Sequence, residues 1–249
     1  MKSTSSVFQD NRPSSESIDR VCLDFDDLVE EGHFSRSDSF WPHDEQQPVI
    51  IVTEGKSDAR ILQDCLNLLR SDLAPFFSFV NFETANARGG TAELVQFVRM
   101  FVGCGIRNRI VVLFDNDTAG HEALASLSET DLPANVFTIA LPALALARSY
   151  PTLGPDGASL ADINERACAL ELYFGEDILR DDNGELRPIR WTGFNDKMKR
   201  YQGAITGKSV VQDRFRQKIE EARRATRRTP DFSGISLIID AILEKVAER

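Results

Sequence analysis

Cysteine is scarce and scattered: Cys22, Cys65, Cys104 and Cys168 are the four in the chain, and no two form a C-x-x-C pair. That spacing argues against a zinc ribbon and against a disulfide framework, and it fits a reducing compartment. No run of 18 or more apolar residues occurs, and the polar start MKSTSSVFQDNRPSSES has no apolar signal core. The expectation is a soluble protein of the cytoplasm with no membrane partner. There is no G-x-x-x-x-G-K-[ST] loop, so Gly89 and Gly90 read as a turn rather than a phosphate cradle. Only three tyrosines occur, Tyr150, Tyr173 and Tyr201, and none sits in a context that marks a nucleophile.

The balance of charge, -10, disfavours a nucleic-acid binder at first sight. The total conceals an asymmetry. Residues 1–48 hold 11 acids and 4 bases and residues 49–186 hold 20 and 10, whereas residues 187–228 hold 4 acids and 13 bases, a net +9. Within that segment Arg214, Arg216, Arg223, Arg224, Arg227 and Arg228 are candidates for phosphate contact, or else the solvated face of a charged helix.

Residues 1–47, rich in Ser, Asp, Glu and Asn, read as a largely flexible acidic arm. Strand and helix patterns then alternate. PVIIVT, FFSFVNFET, RIVVLFD and NVFTIALP read as strands, the first and third with the continuous apolar runs of a sheet covered on both faces. SDARILQDCLNLLRS, TAELVQFVRMFV and TAGHEALASLS read as helices, with Ser57 a candidate cap for the first. Residues 48–142 are therefore expected to form an α/β domain, a Rossmann-like parallel sheet with helices on both faces. Residues 143–249 are expected to be a mostly helical extension, with SLADINERACALELYFGEDIL helical, DDNGELRPIRW a hairpin or loop, and two closing helices.

Two acidic motifs fall where strands of such a sheet end, the edge at which open α/β sheets bind ligands. TEGKSD places Glu54, Lys56 and Asp58 after the first strand, and FDNDTAG places Asp115 and Asp117 after the third. Carboxylates brought together this way repel one another unless a proton or a cation intervenes. An all-oxygen donor set favours Mg²⁺ or Mn²⁺ over Zn²⁺. Taken singly, each acid is also a good helix cap or first-turn residue, and His121 an exposed helix residue. The pair of motifs within one α/β unit is the more specific signal.

TEGKSD at 53–58 and LFDNDTAG at 113–120 resemble the TOPRIM domain, the metal-binding fold shared by topoisomerases, bacterial primases, repair proteins and OLD-type nucleases. The resemblance covers residues 48–142. The later segments ALELYFGEDIL and YQGAITGKSVVQDRF look most like OLD-type nucleases and the TOPRIM proteins of antiphage defence. It implies Glu54 as metal ligand and general base, and Asp58, Asp115 and Asp117 as further ligands. It also implies Glu171 for a second metal, with Asp162 and Glu165 as rivals, and Lys208 as a phosphate-stabilising base. Lys56 joins the arginines as a candidate contact to nucleic acid. Two divalent ions could activate a water and stabilise the leaving 3′ oxygen of a phosphodiester. The implied function is a metal-dependent nuclease of DNA or RNA, a defence effector working with a separate sensor or ATPase. The alternatives are a small ribonuclease maturing a structured RNA and a non-catalytic nucleic-acid-binding module.

Overall fold

Val49, Ile51, Val111 and Leu113 turn one way and Val52, Ile110, Val112 and Phe114 the other, so each apolar strand feeds two separate clusters of buried side chains. This is the period of two that a strand imposes, read out on a sheet covered on both faces. The computed structural model describes residues 47–80, 82, 89–224 and 230–247. These belong to one unit, Gln47–Arg249, and the expected acidic arm lies outside the described residues.

The strands are β1 (Val49–Thr53), β2 (Phe77–Phe79), β3 (Ile110–Phe114), the short β4 (Asn116–Asp117) and β5 (Val136–Ala140). Four of them form a parallel sheet in the order β2-β1-β3-β5, as the alternating pattern predicts. Helix α1 (Lys56–Leu69) covers one face through Ile61, Leu62, Cys65 and Leu66. Helices α2 (Thr91–Gly103) and α3 (Thr118–Ser128) cover the other through Leu94, Val95, Val98, Ala123 and Leu127. Each fully buried aliphatic side chain contributes about 1.5–3 kcal/mol, so these stripes hold the helices to the sheet.

The region beyond residue 142 departs from the helical expectation. A second sheet, ordered β10-β9-β6-β7, is built from β6 (Tyr150–Gly154), β7 (Gly157–Ala161), β9 (Ile189–Asn195) and β10 (Arg200–Ile205). The apolar spacing of SLADINERACALELYF suits a helix, but local geometry overrides it. Gly157, at φ 99°, closes a tight hairpin between β6 and β7. Glu165 stands at φ 60°, and Asn164 is tied to Leu144 through both its amide oxygen and its amide nitrogen. The chain then pairs as β8 (Ala167–Cys168) with β4, and ALELYF forms only the 3₁₀ turn Leu170–Phe174 before the short α4 (Glu176–Leu179).

DDNGEL makes the expected turn, with Asp181 accepting from the N–H groups of Asn183 and Glu185. The closing helices are α5 (Lys208–Arg224) and α6 (Ser233–Ala247). Their apolar faces join the α1 side of the first sheet in one core, Phe215 and Ile239 with Ile51 and Leu62. No helix among the described residues is long and apolar enough to cross a membrane.

Candidate functional site

From β1 the chain moves to β2 on one side, and from β3 it moves to β5 on the other. The crevice between β1 and β3 is thus the point where the winding of the sheet reverses, the place where open α/β sheets take ligands. Glu54 is the first residue past β1 and Asp115 the first past β3. They are joined directly: Glu54 Oε1 accepts the Asp115 N–H at 3.0 Å, and Oε2 accepts the Thr91 hydroxyl at 2.7 Å. One carboxylate therefore ties the ends of two strands to the start of α2. Thr91 was not singled out by the sequence, because its role depends on a contact between distant segments.

The glycine in each motif makes room for an acid. Gly55, not Ser57, is the N-cap of α1, and its N–H donates to Asp58 Oδ2 at 3.0 Å. A Cβ on Gly55 would stand 2.2 Å from that same oxygen. Ser57 lies inside the helix, its hydroxyl 3.3 Å from Asp58 Oδ1. Asp117 caps α3 by accepting the Gly120 N–H at 2.8 Å. A Cβ on Gly120 would stand 2.2 Å from the Asp115 carbonyl oxygen and 3.2 Å from Glu54 Oε1. Asp115 caps no helix of its own segment; its Oδ1 accepts the N–H of Leu170, the first residue of the 3₁₀ turn, at 3.1 Å.

That last bond, with the β4–β8 pairing, brings the 3₁₀ turn onto the site. Glu171 is 1% exposed and faces the Asp58 side of the crevice. Its Oε1 receives the Lys208 ammonium at 3.0 Å and the Gln212 amide at 2.7 Å, and Gln212 also donates to Ser57. Its Oε2 is buried without a hydrogen-bond partner. The turn is fixed from behind by buried Lys218, whose ammonium donates to the Phe174 carbonyl and to Asp177, while Phe174 stacks on Phe215 at 3.9 Å. Glu54, Asp58, Asp115 and Leu170 line a narrow cleft at this point.

The cluster raises its own proton affinities. Burial, opposed by the Thr91 hydrogen bond and reinforced by Asp117 and Asp58, pushes Glu54 up to about 7. Burial and then Glu54, Asp58, Asp117 and Glu171 hold Asp115 well above the carboxylate range. Asp58 is raised by burial and by Glu171, and Asp117 by burial against the pull of the N–H groups at the start of α3. Lys208 loses by burial but gains more from Glu171, Asp115 and Asp58, so its ammonium is held more firmly. These are carboxylates short of positive charge.

Among the described residues, no three acidic, histidine or cysteine side chains stand close enough to grip a metal ion as arranged. The donor chemistry nonetheless suits a hard divalent cation. All donors are carboxylate oxygens, and one oxygen of Glu171 is buried and unpartnered. The existing bonds to Thr91, Leu170, Gly120 and Lys208 hold the acids apart in this arrangement.

The other candidates fall outside this cluster. Asp162 binds the Asn164 backbone and Glu165 pairs with Arg200 at 2.7 Å, so of the three rivals only Glu171 reaches the crevice. Half-buried His121 meets Asn116 Oδ1 at 2.9 Å, its pKa lowered chiefly by burial. Tyr173 packs in the core with its hydroxyl donating to the Pro142 carbonyl. Lys56 opens α1, and its side chain lies outside the described residues, as do Arg227 and Arg228.

The arginines of α5 are answered in place. Arg214 holds the Arg180 carbonyl and Asp182, Arg216 holds Asp213 at 2.7 Å, and Arg223 holds Asp64 and Glu220, both at 2.7 Å. Arg224, 83% exposed and 4.0 Å from Glu220, is the least engaged of the four. No protein-family model matches the chain, and neither a curated protein nor a solved structure matches it.

Proposed function

We propose that the chain is a divalent-metal-dependent phosphodiester hydrolase acting on nucleic acid, with a TOPRIM-like site at the β1–β3 crevice. One observation carries the reading: Glu54, Asp58, Asp115, Asp117 and Glu171, from three separate segments, gather with Lys208 at the sheet's switch point. Natural cores rarely collect five carboxylates around one base unless a ligand repays the repulsion.

Mg²⁺ or Mn²⁺, held by these acids, would supply Lewis-acid stabilisation of phosphoryl charge and a more acidic water. The protein's own groups have distinct parts. Glu54, at the carboxyl end of β1 beside Asp115, is placed to take a proton from an attacking water and return it. Thr91 and the Asp115 N–H fix its two oxygens in place. Lys208 is half exposed, so its ammonium can face a phosphate oxygen while still anchored to Glu171. Tyr150 and Tyr173 are buried and bonded to carbonyl oxygens, which removes them as nucleophiles, while Tyr201 stands exposed on the β9–β10 hairpin.

A second reading has its own support. Asp117 caps one helix, Asp58 accepts the N–H at the start of another, and Lys208 already neutralises Glu171, as an acidic cluster kept for structure in a binding module would do. Incubation with plasmid DNA and with total RNA, with Mg²⁺ or Mn²⁺ and with EDTA, separates the two. Metal-dependent cleavage supports the hydrolase, and the nucleic acid that is cut names the substrate. Retained binding with no cleavage in either ion supports the module.

A further inference from the structure

The hairpin β9–β10 carries an aromatic stripe that the carboxylate site does not use. Phe194 and Tyr201 are directly opposite across the two strands, their rings 5.1 Å apart, and Trp191 lies 6.0 Å from Tyr201. Residues three apart on a regular strand face opposite ways. Here Gln202 pairs with Gly193 but Gly203 pairs with Trp191, so Thr192 is an extra residue, and the bulge turns Trp191 and Phe194 to one side. Glycines make way for the indole: a Cβ on Gly203 would stand 3.0 Å from Trp191 Cε3, and one on Gly154 would stand 3.3 Å from Cδ1.

Packing explains Trp191 but not its neighbours. Phe194 is 48% and Tyr201 54% exposed, leaving π-faces open to solvent. Residues 189–205 hold Arg190, Lys197, Lys199 and Arg200 against Asp196, in a chain of net -10. Lys197 and Lys199 reach Glu122 and Asp196 at 3.3 and 3.5 Å but stay 67% and 74% exposed, and Arg200 pairs with Glu165 at 2.7 Å. The stripe is also tethered to the acidic site. Thr118, next to Asp117, donates its hydroxyl to the Tyr201 carbonyl at 2.9 Å. Lys197, at the hairpin turn, lines an open cleft that Thr91, the partner of Glu54, lines as well.

The geometry points to a base-stacking subsite: Phe194 and Tyr201, backed by Trp191, receive unpaired bases of a nucleic-acid strand whose backbone follows the basic hairpin toward the carboxylates. Exposed aromatic rings among basic residues, on a rigid sheet, are what single-stranded nucleic acid requires, because every base has a π-face. A duplex keeps its bases stacked on one another and offers these rings nothing. The subsite presupposes a nucleic-acid substrate and so rests on the proposed hydrolase function.

The test is fluorescence anisotropy of the full chain in EDTA with labelled oligo-dT, oligo-rU and a duplex of equal length. The parent should bind a single strand more tightly than the duplex. Phe194→Ala with Tyr201→Ala should weaken single-strand binding roughly 5- to 150-fold per ring lost, and Tyr201→Phe should retain it. If the alanine pair fails to fold by circular dichroism, the leucine pair, apolar but without π-faces, takes its place. In a Trp41→Phe background Trp191 is the remaining tryptophan, and its emission should be quenched as the single strand binds.

Unchanged single-strand binding in a folded double variant, unmoved Trp191 emission at saturation, or no single-strand binding by the parent would overturn the subsite. A chain that binds through these rings but never cleaves defeats the hydrolase reading alone. A chain that cleaves while the ring variants bind like the parent defeats the subsite alone.

Discussion

The Glu171 carboxylate, 1% exposed, holds the Lys208 ammonium at 3.0 Å, and its second oxygen has no hydrogen-bond partner. A buried acid tied to a half-exposed base is a charge that can be shared with a ligand. Lys208→Ala should cost about 1–3 kcal/mol in the metal-free protein, less than for a fully buried pair because one partner is solvated. Calorimetric or chemical unfolding reads this. If Lys208 meets the phosphate only in the transition state, the same variant lowers kcat with little change in substrate affinity. Equal loss of affinity and rate would contradict that role.

Stability should fall as pH rises through neutrality when no metal is present. Glu54 is raised from 4.5 to about 7, so between those values the folded state holds the extra proton. Its contribution is complete below about 4.5 and lost as pH climbs through about 7, at most about 3 kcal/mol. Glu54→Gln keeps the side-chain shape without the charge: its oxygen can accept the Asp115 N–H, and its NH2 donates to the Thr91 hydroxyl oxygen. It should raise Tm at pH 8 and change it little at pH 4. The raised Asp58, Asp115 and Asp117 add to the slope in the same direction. A metal-free Tm that rises from pH 5 to 8 would contradict the description of the cluster.

Gly120 is fixed by steric contact with backbone. A methyl at that position meets the Asp115 carbonyl at 2.2 Å, which cannot move without moving the end of β3. Gly120→Ala should destabilise by roughly 1–3 kcal/mol or more and abolish activity. Gly55→Ala meets the Asp58 carboxylate instead, a side chain that can swing away. It should cost less stability while still disturbing the site. Equal stability of both variants and the parent would refute this steric reading.

The arginines of α5 should contribute less to binding than their number suggests. Arg214, Arg216 and Arg223 already pair with carboxylates, and exposed pairs of this kind are worth about 0–1 kcal/mol each. Replacing these three with Gln should leave the salt dependence of nucleic-acid binding nearly unchanged. Three true phosphate contacts would instead reduce the slope by roughly 0.7 to 0.9 each.

The first sheet was legible in the sequence because its signals are local. VIIV and RIVVLF announce buried strands, and an acid placed just after such a run is carried to the sheet's carboxyl edge by the strand itself. Glu54 and Asp115 needed nothing else. Glu171 illustrates the limit: its segment reads as a helix, yet its place is set by the Leu170–Asp115 bond, the β4–β8 pair and Lys218 beneath Phe174. Each joins residues far apart in sequence. The hairpin β9–β10 was hidden likewise, since the bulge at Thr192 breaks the alternation that marks a strand. Charge counting singled out α5 but could not see Asp64 and Asp182, which arrive from other segments to meet its arginines.

The most direct test of the central claim is single-turnover cleavage of an end-labelled nucleic acid by the parent and by Glu54→Gln, each with saturating Mg²⁺ or Mn²⁺. The variant keeps the shape of the crevice and removes the one carboxylate that joins β1, β3 and α2. The parent should cleave only with metal, and a folded Glu54→Gln protein should cleave at a rate at least about 100-fold lower. Cleavage at the parental rate by that variant, or none by the parent in either ion, would contradict it.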